Sequence, residues 1–364
     1  MRQIGNGGFA AENLSARSKT RLRSTGVAAA LLSLCFANVA QADEGGVSFW
    51  VPGFFGSLAA TPQQPGFSYA NVYYHTSVSA GGNVAFARQV TAGRITTNFT
   101  GNLNANLDAS ADLYMGIPQY VFATPVLGGQ AAIAAAVPYG RSRGSVDATL
   151  TGSLGPLGFN VSGSRADAIT GWGDIAPMFT LRWNQGVHNF MTYLAGNLTT
   201  GRYDPTRLAN LGIGHNAIDA GGSYTYFDPQ KGHEFSATLG FTYNFENVHT
   251  NYQNGIDMHL DWGASQFLSK QLQVGLVGYW YNQLSCDSGT GDRVGCFESR
   301  VAGIGPQIGY IIPISNDYQG YVNLKGYKEF AAENRADGWN LWLTFAISPA
   351  EKRPPAAARP MITK

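Results

Sequence analysis

The chain has 364 residues, a formal net charge of +1, 13% charged residues, 12% aromatic residues and 46 Gly. A soluble domain ordinarily carries roughly 25% charged residues, and a disordered chain carries few aromatics, so neither class fits. A net charge this close to zero gives no electrostatic reason to expect a nucleic-acid partner. What remains is a sheet protein, Gly-rich without a collagen period, that faces two unlike environments.

At the amino end, Arg17, Lys19, Arg21 and Arg23 precede an apolar run from Val27 to Val39, which is followed by Ala40-Gln41-Ala42. Basic, apolar and small residues in that order predict a signal peptide over residues 1–42. The run is well short of the ~20 apolar residues that a spanning helix needs. Cys35 lies inside the run behind Leu34, where a lipoprotein site wants a small residue, so it is expected to leave with the signal. Residues 43–65 come next, with Phe49-Trp50-Val51-Pro52-Gly53-Phe54-Phe55 apolar but broken by Pro and Gly. They form either a plug in a lumen or a cover on the periplasmic rim.

From about residue 66 to 348 a period of two dominates, the mark of half-buried strands. Phe235, Leu239, Phe241, Tyr243 and Phe245 alternate with Glu234, Ser236, Thr238, Thr242 and Asn244. Ile256, Met258, Leu260 and Trp262 alternate with Asp257, His259 and Asp261, and Trp339, Leu341, Leu343, Phe345 and Ile347 close the series. Such runs extend to about eleven residues or more, the length of a tilted strand crossing a bilayer and longer than the ~5–6 usual in soluble sandwiches. The pattern predicts about twelve strands, an even number as bacterial barrels have. Their spans are 67–78, 112–124, 129–139, 172–184, 187–198, 217–228, 232–246, 255–268, 271–284, 299–313, 318–330 and 338–347.

Alternate connections are short: Pro125 to Gly128, Asn184 to Gly186, Pro229 to Lys231, Ser269 to Lys270 and Asn316 to Asp317. Those between, at 79–111, 140–171, 199–216 and 285–298, read as long loops, with a projecting hairpin over about 145–165. Short turns on one side and long loops on the other are the topology of an outer-membrane β-barrel. The fold class is therefore all-β, an antiparallel up-and-down transmembrane barrel in the bacterial outer membrane. Trp262, Trp280, Trp339, Tyr243 and Phe245 fall near expected strand ends, where aromatic rings meet a lipid–water boundary. Residues 349–364 are Pro- and Ala-rich with Lys352 and Arg353, and read as a disordered tail.

Several short motifs now stand in order: Gly171-Trp172-Gly173-Asp174-Ile175, Thr200-Gly201-Arg202-Tyr203-Asp204, Asn210-Leu211-Gly212 and Tyr243-Asn244-Phe245-Glu246-Asn247. They continue with Thr250-Asn251-Tyr252, Gly278-Tyr279-Trp280-Tyr281-Asn282-Gln283, Gly305-Pro306 and Lys325-Gly326-Tyr327-Lys328-Glu329. In these the chain resembles the outer-membrane family named for the meta-pathway of phenol degradation. The resemblance covers nearly the whole mature chain and implies a barrel that serves as an uptake channel beside aromatic-degrading enzymes. Barrels of this kind commonly end on an aromatic residue that the outer-membrane assembly machinery reads, whereas this chain continues past Phe345 by a full tail.

Candidate chemistry is sparse. Gly140-Arg141-Ser142-Arg143-Gly144 matches a nucleophile elbow, but that motif needs a strand, a turn and a helix, and a β-like run follows instead. Asp257, His259 and Asp261 share a strand face at about 6.6–7 Å spacing; as metal ligands they would need help from neighbouring strands, and polar lining of a wet lumen explains them more simply. No catalytic residue, metal or cofactor is expected. Cys286 and Cys296, in an exported loop between the ninth and tenth expected strands, predict a disulfide worth about 2–3 kcal/mol. With both chain ends in the periplasm, that loop faces outside the cell.

Parity places Asp174, Arg182, Asp219, Glu234, Asn244, Asp257, His259, Asp261, Lys325 and Glu329 inward as the solute path. Met178, Met191, Tyr193, Phe227, Tyr279, Tyr281, Tyr321 and Trp342 are interleaved with them. Apolar rings with a few polar groups suit weak contacts with a small apolar or aromatic solute. Eight strands leave a bore that side chains fill and sixteen an aqueous channel, so twelve leaves the lumen open or packed. Three functions follow in order: a passive channel for hydrophobic or aromatic compounds across the lipid bilayer, a structural or surface-interaction barrel with a closed lumen, and an outer-membrane hydrolase.

Overall fold

The computed structural model describes residues 48–92, 95–154, 157–292, 296 and 298–350. The expected signal peptide and nearly all of the expected tail lie outside the described residues. Every regular element among the described residues is a strand. In chain order these are β1 (Gly66–Ala92), β2 (Ile95–Val121), β3 (Gln130–Leu154), β4 (Leu157–Trp172), β5 (Ala176–Gln185) and β6 (His188–Asn197). They continue with β7 (Ala217–Asp228), β8 (His233–Asn244), β9 (Asp257–Phe267), β10 (Leu272–Gln283), β11 (Arg300–Pro313), β12 (Tyr318–Glu333) and β13 (Asp337–Pro349).

From β5 to β13 each strand pairs antiparallel with the next, and β13 returns to β1 through a register running from Tyr69↔Ile347 to Ser79↔Asp337. Pairings β1–β2, β2–β3 and β3–β5 complete a closed twelve-strand ring, to which β4 is an extra strand hydrogen-bonded to β3 alone. Closure removes the exposed sheet edges that would otherwise template aggregation.

The alternation read from the sequence sets which face is which. In β8, Glu234, Ser236, Thr238, Thr242 and Asn244 are 0–4% exposed, whereas Phe235, Leu239, Phe241 and Tyr243 are 43–49% exposed. The barrel is thus apolar outside and polar-aromatic inside, the reverse of a soluble sandwich. Trp280, Trp339, Tyr243 and Phe245 all point outward. Val126 and Gly129 bridge across a two-residue turn, with Leu127 at φ 51° and Gly128 at φ 72°. Positive φ at both central residues identifies a type I′ hairpin, whose twist matches that of the strands.

The largest departure concerns the expected loops 79–111 and 140–171. Both are strand. β1 and β2 pair without interruption to Ala92↔Ile95, and β3 and β4 pair from Tyr139↔Trp172 to Leu154↔Leu157, which includes the expected hairpin over 145–165. Four strands therefore rise past the ring as a tall wall. Its alternation is present in the sequence, but it is carried by Leu103, Ala105, Leu107 and Ala109 against Asn102, Asn104, Asn106 and Asp108. Ala and Asn are poor strand formers, so the pattern is faint where the strand is long. The expected strand 172–184 is also broken at residues 173–175, where β4 ends and β5 begins.

The outer edge of β4 is covered by the 198–216 connection. Arg207 forms paired bonds to Asp167, at 3.1 Å from Nε and 2.6 Å from Nη2, and Arg165 and Arg202 donate to the carbonyls of Thr206 and Thr170. The Arg207 guanidinium holds the Asp167 carboxyl down at about 2. His215, on the same connection, is pushed below its ordinary value by burial.

Candidate functional site

The ten expected path residues, together with the interleaved Tyr279, Tyr281 and Trp342, are all buried, from 0% exposed for Asp219 and His259 to 8% for Asp174. What they touch divides them into groups. Asp219 accepts from Thr242 Oγ1 at 2.6 Å and faces His259 Nε2 at 3.1 Å, and Tyr193 Oη lies 3.1 Å from the same nitrogen. Gly240 makes this meeting possible, because a Cβ there would stand 1.9 Å from Tyr193 Oη and 2.5 Å from His259 Nε2. One strand step away, Asp257 accepts from Tyr281 Oη at 2.7 Å, Asn244 Nδ2 at 2.8 Å and Ser48 Oγ at 3.0 Å. On the neighbouring strands β10, β12 and β13, Tyr279 donates to Glu329 at 2.8 Å, and Asn340 links Tyr279 to the Trp342 indole.

Asp174 and Arg182 sit elsewhere. Asp174 accepts from the backbone amides of Gly201 and Ile213 and from Asn197, fastening the 198–216 connection at the β4–β5 break. Arg182 donates to Thr180, with its Nε unpaired. Of the interleaved residues, Met191 and Tyr193 are fully buried, while Met178, Phe227 and Tyr321 are partly so.

Residues 48–63 run along this inner face. Asp261 accepts from the amides of Gly53 and Phe55 at 2.9 and 3.2 Å, while Lys325 Nζ donates to the carbonyls of Gly53, Phe54 and Phe55. Two opposite charges, one from β9 and one from β12, thus clasp a single turn of chain. Further along, Leu58 N donates to Glu234 at 2.9 Å and Ala60 N to Thr225 at 3.1 Å. Trp50 stacks on His259, and Phe54 and Phe55 pack edge-on to each other. Trp50, Phe54 and Phe55 are site residues that periodicity does not mark. Their sequence signal was only an apolar cluster before the first strand. Tyr74 and Tyr327 also face inward beside Trp342 and Tyr279, at ring separations of 4.5 and 4.9 Å.

Asp257, His259 and Asp261 do not converge on a common point, since each is engaged by its own partners from the protein. Ser142 sits mid-strand, opposite Ala111 and Ile169, which is not the strand–turn–helix setting of an elbow. Cys286 and Cys296 form a disulfide in the connection between β10 and β11. Glu298 lies beside it, but the thiolates a metal would need are spent in the bond.

A family model described as the putative MetA-pathway of phenol degradation matches residues 74–345. No curated protein matches the chain in sequence. Among solved structures, the COG4313 outer membrane channel from Pseudomonas putida F1 is similar at a TM-score of 0.54 and 13% identity, over 83% of this chain and 100% of that one. A FadL homologue from Pseudomonas aeruginosa aligns at a TM-score of 0.40 and 10% identity, over 84% of this chain and 95% of that one. The first is a likeness of fold; the second is too distant to carry an argument.

Proposed function

The chain belongs to the family of the putative MetA-pathway of phenol degradation, and on that premise we propose that it is an outer-membrane channel for passive uptake of small hydrophobic or aromatic compounds. One observation carries this reading: the inner face of the ring mixes buried Tyr, Trp and Met with buried hydrogen-bonding groups. A wide aqueous pore would be lined by polar groups alone, and a merely packed core would not bury Asp219, Glu234, Asp257, Asp261 and Glu329 together. Weak, repeated contacts of both kinds let a small ring move along without being trapped. Residues 48–63 act as a plug that must yield for passage. Catalysis has no part in this reading, and purified protein should leave a fluorogenic ester intact.

A second reading, a barrel whose lumen stays shut, draws support from the clasp of Asp261 and Lys325 on that plug. Planar-bilayer conductance and phenol-driven liposome swelling separate the two. The channel reading expects phenol to enter, and expects deletion of residues 48–64 to raise conductance severalfold. If neither phenol entry nor a conductance gain on deletion is seen, the barrel is closed.

A further inference from the structure

Trp50 lies flat on His259, with ring centroids 3.8 Å apart and planes 11° from parallel. His259 is gripped by its edge: Nε2 faces Asp219 and Tyr193, both at 3.1 Å. Its face is therefore the surface offered to the lumen. What covers that face comes from the plug and not from the wall. Tyr193 flanks the stack, its ring 5.9 Å from Trp50 and inclined by 29°, and Met191 belongs to the same packed cluster. A buried indole N–H usually finds a partner, yet Trp50 Nε1 has none, nor does His259 Nδ1. The ring fits the slot by shape and stacking alone.

The hydrogen-bonded fastenings of the plug do not use this ring. Ser48 bonds Asp257 on one side, and the clasp of Asp261 and Lys325 begins at Gly53 on the other. Trp50 sits between, held by packing against Phe54, Phe55 and Tyr193, so displacing its ring breaks ring contacts but no hydrogen bond of the indole and neither anchor. Three carboxylates lie around it: Asp219 touches His259, and Asp257 and Asp261 flank it on the same strand face, while the Arg182 cation, which donates to Thr180, stands opposite Met191 in the β5–β6 register. Lys325 is already occupied by three carbonyls.

We infer that the His259 face, bounded by Tyr193 and Met191, is a binding station for one neutral planar aromatic ring, which Trp50 occupies as an intramolecular stand-in. An incoming ring replaces the indole, and carboxylate-bearing aromatics are disfavoured there. This deepens the channel reading and rests on it for the route by which a ring arrives.

The test is binding of 4-fluorophenol and 4-fluorobenzoate to the detergent-solubilised protein, followed by fluorine NMR. Removing the competitor in Trp50→Ala should tighten fluorophenol binding about two- to tenfold, the scale of one aromatic pair. Trp50→Phe should restore the weak binding of the parent. Adding His259→Ala to Trp50→Ala should abolish the gain, and fluorobenzoate should bind at least about tenfold more weakly than fluorophenol, since an unpaired buried charge is costly. Trp50 lies outside every strand, so its variants keep the barrel, which heat-modifiable migration on gels verifies. Unchanged or weaker fluorophenol binding in Trp50→Ala overturns the inference, as does a gain that survives loss of His259 or equal binding of the benzoate. Conductance tests the channel reading separately: a barrel that conducts nothing yet shows this binding pattern retains the station and loses the channel.

Discussion

Leu127 holds a backbone conformation that its side chain opposes. Its φ of 51° is in the left-handed region, and it is 86% exposed, so no packing offsets the strain. A non-Gly residue there costs roughly 1–2 kcal/mol, and Asn followed by Gly is the favoured pair for a type I′ turn. Leu127→Asn should therefore stabilise the folded barrel by about 0.5–1 kcal/mol, read as a higher urea midpoint in vesicles with unchanged slope. At this scale the sequence was informative about faces but not about partners. Parity alone put Asp257, His259 and Asp261 on one face, because a strand's period is fixed by its backbone. That Ser48, Trp50 and Gly53 meet them could not be read, since a segment without period carries no register and these contacts span about 200 residues.

Among the elements, β4 has an outer edge with no strand partner, and the 198–216 connection is held over it by Arg207 on Asp167. The Asp167 carboxyl sits at about 2, below the ~3.9 of an unfolded chain. For a depressed carboxyl, the unfolded form takes up the proton first as pH falls. The contribution is thus complete above about pH 4 and fades as pH drops through about 2. Limited proteolysis across this range should show cleavage within 198–216 appearing only in the acid part, and Arg207→Ala should show it already at neutral pH. A connection equally resistant in both would mean that the ion pair does not hold it. The strong alternation and short polar turns of β5 to β13 were legible because each strand presents large apolar residues outward. The tall β1–β4 wall was not, because above the ring its alternation is written in Ala, Asn, Thr and Gly, whose two faces differ little in hydrophobicity.

For the molecule as a whole, the outward apolar surface makes a demand that no soluble barrel would make. Leu239, in the middle of β8, lies directly opposite Leu260 in β9 and is 43% exposed. In water such a residue tolerates a charge at little cost. In hydrocarbon an arginine near the midplane costs roughly 2–4 kcal/mol, falling to about 0–1 at the interfaces. Val248 is the natural control: it is 74% exposed and sits in the turn region beyond the end of β8, between Asn247 and its bridge partner Tyr252. Leu239→Arg should therefore destabilise refolding into lipid vesicles by about 2–4 kcal/mol, whereas Val248→Arg should cost no more than about 1 kcal/mol. Urea titration of tryptophan emission measures both. Exposure alone ranks the two alike, as tolerant surface positions, so equal small effects would place the Leu239 band in water. A penalty confined to Leu239 would place it in lipid, because depth in a bilayer, and not burial within the protein, is then what separates the two positions.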